Sequence, residues 1–257
     1  MRCPDEFIAL AHRLAEASGP VIRRYFRTPI GVEDKSDASP VTIADRETET
    51  AVRALIEREH PDHGIVGEEH GSVRPGASYQ WVIDPIDGTK AFITGKPMFG
   101  TLIALLRDGQ PILGVIDQPV TGERWIGALG HPTTFNGATA KTRACPDLSR
   151  AVVNATHPDM FDKPGGQRFW NVSKAAKLSL WGGDCYAYGL LAIGHIDLVI
   201  EYSLKLYDFA ALVPIVAGAG GTMTDWNGKP LTGASKGDVV AAGDERSLKQ
   251  ALERLAA

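Results

Sequence analysis

The stretch Trp81-Val82-Ile83-Asp84-Pro85-Ile86-Asp87-Gly88-Thr89 constrains this chain more than any other. An apolar run with the character of a buried strand ends in two carboxylates three positions apart, and Gly-Thr then leads into a short helical segment. Pro85 has no amide N–H and a fixed φ, so the backbone after Asp84 is pinned and the Ile86 carbonyl can face the same point as the two side chains. Three oxygens then converge on one small volume. Gly88 and Thr89 stand at the start of a helical turn, where unpaired N–H groups and the positive end of the helix dipole suit a phosphate. Hard oxygen ligands beside an anion cradle point to Mg²⁺ and phosphoryl chemistry. Asp-Gly alone is also a hairpin signal, so the rest of the chain has to decide between a turn and a site. A calcium loop needs acids at alternate positions and a closing Glu, which this spacing does not offer.

The bulk of the sequence narrows the partner. A formal charge of −4 gives no basic field to concentrate nucleic acid or an anionic membrane surface, so a small molecule is expected. At 257 residues, 44% of them hydrophobic, the chain is long enough for one large domain or two joined subdomains. Cys3, Cys145 and Cys185 lie far apart with no CxxC pair, which argues for a reducing, cytoplasmic compartment and against a disulfide framework. The N-terminus alternates charged and apolar residues, unlike a signal peptide, and no apolar run is long enough to cross a bilayer.

Along the chain, Phe7, Leu10, Ala11, Leu14, Ile22 and Tyr25 recur at helical spacing over residues 5–27, with Gly19-Pro20 as a weak point. Residues 28–40 read as a loop whose only base, Lys35, is a candidate anion contact. A second helix is expected over 41–60, with Asp45, Glu47 and Glu49 near its N-terminal turns where the dipole favours acids, so that Asp45 is explained without a function. Gly64-Ile65-Val66-Gly67 is a short strand ending in Glu68-Glu69. Two strands that both deliver acids at their ends favour a site, because open sheets place chemistry there. Residues 100–107, 112–118 and 123–128 form an antiparallel meander separated by Asp108-Gly109 and Thr121-Gly122. A Gly-, Pro- and Thr-rich seam near residue 140 divides the chain into an α+β subdomain over residues 1–140 and an α/β subdomain over residues 141–257. The second subdomain alternates strands (151–155, 177–181, 196–200, 222–224, 238–242) with helices (159–176, 185–193, 206–219 and from Asp244). Asp184 and Asp208 read first as helix N-caps and Glu201 as a strand end. Cys185 has no basic neighbour in sequence and reads as a packing residue. Neither a zinc spacing among the histidines nor a dinucleotide fingerprint is present.

Gly67-Glu68-Glu69, Asp84-Pro85-Ile86-Asp87-Gly88-Thr89, and Tyr207-Asp208-Phe209-Ala210-Ala211 with Gly218-Ala219-Gly220-Gly221 resemble, in order, the signatures of the inositol monophosphatase superfamily. The resemblance implies a layered α/β/α/β/α sugar-phosphatase-type fold and a Mg²⁺-dependent, lithium-sensitive phosphomonoesterase, often a homodimer, with two or three ions per active site. By that resemblance Glu68, Asp84 and the Ile86 carbonyl hold one ion, and Asp84, Asp87 and Asp208 a second. Glu68 and the Thr89 hydroxyl orient the attacking water, Asp45 bonds to Thr89, and the Gly88 and Thr89 amides hold phosphate oxygens. The string Trp181-Gly182-Gly183-Asp184-Cys185-Tyr186-Ala187-Tyr188-Gly189, with Phe99-Gly100-Thr101-Leu102 and Asp117-Gln118-Pro119, is similar to the histidinol-phosphatases of that superfamily. Inositol-hydrolysing members carry Gly-Thr-Ala where this chain has Gly182-Gly183-Asp184, so an acid enters the leaving-group pocket. Gly183, Asp184 and Glu201 are then expected to recognise the ammonium and imidazole of L-histidinol phosphate, an intermediate of histidine biosynthesis. Inositol 1-phosphate, a sugar phosphate or a nucleotide phosphate are the alternatives, and a non-catalytic metal-binding protein is a further one.

Overall fold

The computed structural model describes residues 2–34 and 40–257. Lys35 lies outside the described residues. Helix α1 (Asp5–Tyr25) buries Phe7, Leu10, Leu14 and Ile22 on one side, and Pro20 sits within it without ending it. Strands β1 (Val32–Asp34) and β2 (Pro40–Thr42) pair antiparallel, where sequence patterning predicts only a loop. Three residues give too little alternation to read as a strand. Helix α2 (Ile43–Glu59) opens at Thr42, whose hydroxyl accepts the Ala44 N–H while Asp45 accepts the Thr42 N–H. That reciprocal pair is a capping box.

Strands β3 (Gly64–Gly67) and β4 (Gly71–Val73) form a hairpin, so Glu68 lies in a tight turn rather than at an open strand end. Strand β5 (Tyr79–Asp87) and helix α3 (Thr89–Ile93) follow, then β6 (Gly100–Arg107), β7 (Gln110–Gln118) and β8 (Glu123–Ala128), the expected meander. With β9 (Thr134–Phe135) and β10 (Ala138–Thr139), these strands build an eight-stranded sheet in the order β10-β9-β8-β7-β6-β5-β3-β4. Only β3 and β5 among its pairs run parallel.

The C-terminal half contains β11 (Val152–Ala155), α4 (Lys163–Ser173), β12 (Leu178–Trp181), α5 (Asp184–Ala192), β13 (Leu198–Glu201), α6 (Leu206–Phe209), α7 (Leu212–Gly218), β14 (Thr222–Asp225), β15 (Val239–Ala242) and α8 (Glu245–Leu255). Its five strands order as β12-β11-β13-β15-β14. The helix expected over 206–219 is two helices. Pro214 cannot donate to the Ala210 carbonyl and its ring would crowd it, so a helix can begin again only with Pro214 in its first turn.

Side-chain alternation stacks the two sheets and their helices into layers. Trp81 and Ile83 face the buried side of α1 and α2, whereas Val82 faces Tyr188, Phe209 and Ile215 of the central helices α5, α6 and α7. In the second sheet Val199 and Ala241 face those central helices, and Leu198, Ile200, Val240 and Ala242 face α4 and α8. The result is an α/β/α/β/α sandwich, as expected of the superfamily.

Candidate active site

Strand periodicity alone would put Asp84 and Asp87, three positions apart, on opposite faces of β5. The pairing of β5 with β6 slips between Asp84 and Asp87, and this bulge turns Asp87 to the side of Asp84. Pro85 sits inside the irregularity, where its missing donor costs no ladder bond, and its carbonyl accepts the Thr101 hydroxyl at 2.9 Å. One carboxylate oxygen from each of Asp84, Asp87 and Asp208 then lies within 4.8 Å of the others. Asp208 comes from α6, which the buried Phe209 anchors in the central layer. It is not an N-cap. It occupies the third helical position, and its carboxylate reaches back to the Lys205 N–H at 2.7 Å.

Glu68 joins the cluster through a side-chain hydrogen bond with Asp84. Thr89 donates its hydroxyl to the Ile86 carbonyl at 3.0 Å, and the Ile86 N–H donates to Asp84 Oδ1 at 3.1 Å. The expected bond between Asp45 and Thr89 is not the one formed. Asp45 Oδ2 accepts from the Thr42 N–H at 2.8 Å and the Thr42 hydroxyl at 2.7 Å, because a residue at the third position of a capped helix reaches its own cap first. Gly88 precedes α3 at φ 91°, a left-handed conformation that favours glycine.

The C-terminal half closes over this centre. The Cys185 N–H donates to Asp87 Oδ2 at 2.5 Å, tying α5 to β5, while the Cys185 side chain is buried in the core. Asp184 is the first residue of α5 rather than its cap, at φ 43°, and its carboxylate lies against Gly88, whose Cβ would sit 3.2 Å from it. Gly183 is the cap at φ 109°, and its carbonyl accepts the Ala187 N–H at 3.3 Å. Glu201 is buried and accepts from the Thr156 N–H at 3.1 Å and the Tyr188 hydroxyl at 2.9 Å. A cavity of about 200 Å³ is lined by Asp87, Asp184, Tyr188, Glu201, Leu204 and Asp208. A larger cleft, about 380 Å³, lies between α1 and the ends of β7 and β8, but none of these acids lines it. Chemistry rather than size therefore locates the site.

The electrostatics ask for positive charge. Burial, then the neighbouring Glu68, Asp87 and Asp208, pushes Asp84 well above the usual carboxylate range. Asp87 rises likewise through burial and the charges of Asp184 and Asp208. Asp208 is pushed up to about 7 by burial, against the Lys205 N–H bond. Asp184 also reaches about 7, by burial and by Glu201, with Lys90 opposing. Carboxylates crowded in this way hold a proton or a cation. The donors are all oxygen, the set a hard divalent ion takes.

The sequence matches the inositol monophosphatase family over residues 4–257. The chain belongs to the inositol monophosphatase family. As a phosphatase of that family, whose members are generally Mg²⁺-dependent, it acts on phosphate esters, and the oxygen cluster fits the ion. It is 52% identical over 260 aligned positions to the chloroplastic bifunctional phosphatase IMPL2 of Arabidopsis thaliana, covering 98% of this chain and 75% of that one. It is 36% identical to the histidinol-phosphatase of Chlorobaculum parvum, covering 88% and 87% of the two chains. A solved inositol monophosphatase from Zymomonas mobilis superposes with a TM-score of 0.91 at 51% identity, over 98% of each chain. The residues that hold the site acids are Thr42 for Asp45, Cys185 for Asp87, and Thr156 and Tyr188 for Glu201; Cys185 and Tyr188 lie in the string similar to the histidinol-phosphatases, but that likeness does not disclose these pairings. Only the first was readable, as Thr-x-x-Asp before an apolar-periodic run.

Proposed function

We propose that this phosphatase hydrolyses L-histidinol phosphate to L-histidinol and inorganic phosphate, a step of histidine biosynthesis. The observation that carries the reading is that Asp184 and Glu201 line the same cavity as Asp87 and Asp208. A phosphate held at the aspartates directs its alcohol portion toward two further acids, and an acidic leaving-group pocket favours a cationic alcohol. Histidinol presents an ammonium and an imidazole, and each charged hydrogen bond to Asp184 or Glu201 contributes about 1.5–3 kcal/mol. Relatives named histidinol-phosphatase at 36% and 34% identity support the same substrate.

In this reading Glu68, Asp84, the Ile86 carbonyl, Asp87 and Asp208 would hold two or three Mg²⁺, which would supply a lowered pKa for water and stabilisation of a departing alkoxide. Glu68 accepts a proton of the attacking water. The Thr89 hydroxyl, whose hydrogen is committed to the Ile86 carbonyl, offers lone pairs to the same water. Gly88 and Thr89, at the start of α3, supply amides to the phosphate oxygens. Asp45 keeps the start of α2 fixed beside Glu68, whose charge it feels. Residues 1–140 supply most of the ion ligands, and residues 141–257 supply Asp208 and the pocket.

The test is phosphate release in Mg²⁺ from L-histidinol phosphate, inositol 1-phosphate and fructose 1,6-bisphosphate, with Asp84→Asn as the blank. We expect kcat/KM to favour histidinol phosphate at least a hundredfold, about 2.7 kcal/mol, and Asp184→Ala to collapse that preference. A preference for inositol 1-phosphate, the second reading favoured by the likeness to the Zymomonas mobilis structure, would keep the metal chemistry and remove the role of Asp184 and Glu201. Ion binding without turnover of any ester would reject the enzymatic reading.

A further inference from the structure

Two side chains of α2 take no part in the chemistry above, yet they hold the turn from which Glu68 projects. Glu49 is fully buried and Arg53 is 9% exposed. Glu49 Oε2 accepts the Glu69 N–H at 2.7 Å and Oε1 accepts the His70 N–H at 3.1 Å. Arg53 Nε donates to Glu49 Oε1 at 2.6 Å, and Arg53 Nη2 donates to the Gly71 carbonyl. One carboxylate and one guanidinium thus fasten three consecutive backbone groups of the β3–β4 turn. On the other side the Glu68 N–H donates to the Ile83 carbonyl at 3.2 Å, one residue before Asp84.

A fold that needed only a filled core here would gain as much from apolar side chains, because a buried ion pair offsets its desolvation only in part. Charge-assisted hydrogen bonds aimed at successive amides specify a backbone conformation instead. The approach is close: a Cβ on Gly67 would overlap Glu49 Oε1, so any side chain at position 67 would push the carboxylate off the amides it holds. The glycine of the Gly67-Glu68-Glu69 signature thereby acquires a physical reason, which is space for the Glu49 carboxylate.

We propose that Glu49 and Arg53 are positioning residues for Glu68, and that they set the affinity of the site for its divalent cation rather than for the phosphate ester. The inference rests on the reading of Glu68 as a cation ligand. Without the two amide bonds, the turn samples conformations in which Glu68 is withdrawn from Asp84, and apparent affinity falls with the fraction of time the ligand is in place. Loss of a group that supports a metal ligand typically costs about 10–100-fold in metal affinity.

The experiment measures Mn²⁺ binding to the full chain by calorimetry and amide exchange at Glu69 and His70, beside steady-state kinetics at saturating Mg²⁺. Four proteins are compared: wild type, Glu49→Gln, Glu68→Gln, and Arg143→Met as a stability control. Arg143 pairs with Asp197 at 2.6 Å in the C-terminal half of the molecule. Glu49→Gln is expected to weaken Mn²⁺ binding at least tenfold and to speed exchange at both amides, with the ester KM at saturating Mg²⁺ within about threefold of wild type. Arg143→Met should melt earlier but bind Mn²⁺ normally. If Glu68→Gln weakens binding and Glu49→Gln does not, the positioning role is wrong while Glu68 remains a ligand. If Glu68→Gln binds as wild type does, the ligand reading itself fails, and the inference with it. Weakening by Arg143→Met in proportion to its lost stability would also overturn the proposal, by reducing the effect to general destabilisation. Should Glu49→Gln not fold, Arg53→Lys, which keeps the charge but not the forked reach to Glu49 and Gly71, is read against the same outcomes.

Discussion

Asp208 and Asp184 are each pushed up to about 7, by burial first. In the unfolded chain they titrate near the ordinary value of about 3.9, so between these limits the folded protein keeps protons that the unfolded chain has released. Their contribution to stability is full below about pH 4 and is lost as the pH rises through about 7. His12 and His63, whose pKa values burial lowers, work in the opposite sense and cancel when wild type is compared with a variant that retains them. Without metal, the stability of wild type relative to Asp208→Asn is therefore expected to decline between about pH 5 and pH 8. Urea unfolding in chelator at three pH values checks this, and a rising difference would contradict it. The identity of these acids was legible from sequence. Their partners were not: no spacing rule connects Cys185 with Asp87, or Tyr188 with Glu201, because the first bond forms only once α5 packs against the larger sheet and the second only once α5 packs on β13.

Elements were legible in proportion to their length. The twenty-one residues of α1 and the three long strands of the meander repeat their period often enough to be read, whereas β1, β4, β9 and β10 have three residues or fewer. The bulge in β5 left no apolar signature and yet decides that Asp84 and Asp87 meet. Close packing between elements was equally silent. A Cβ on Gly114 of β7 would overlap the Ala211 carbonyl just ahead of α7, so a strand glycine that propensity disfavours is where the central helices approach the sheet. Gly114→Ala is expected to cost about 1–3 kcal/mol in denaturant unfolding, as overpacking does. Because α6 and α7 lie together in that layer, the variant should also weaken Mg²⁺ activation by displacing Asp208. An unchanged unfolding midpoint would show that α7 moves aside freely.

Across the molecule, the acids come from both halves: Glu68, Asp84 and Asp87 from the larger sheet and its turns, and Asp184, Glu201 and Asp208 from the C-terminal half. A cation bound among them joins the two. Mg²⁺ at a hundred times its dissociation constant is expected to stabilise the fold by about 2.7 kcal/mol. Asp208→Asn, which removes a ligand contributed by the C-terminal half, should lose most of that gain, and chelator titration followed by thermal unfolding measures both. A gain of the same size in Asp208→Asn would place the ion within one half only. By itself the sequence determined a cluster of oxygen ligands beside an anion cradle and the burial of the long elements, and through its resemblance to the family it implied the layered fold. Acids beside Pro and Gly-Thr are a local pattern, and apolar periodicity records which face of each long element is buried. Only the tertiary structure decided that the two carboxylates of β5 face the same way, that α6 carries Asp208 to meet them, and that Glu49 was more than a charge near a helix start. Those outcomes depend on register, on a bulge and on contacts between segments distant in the chain, none of which has a local period to read.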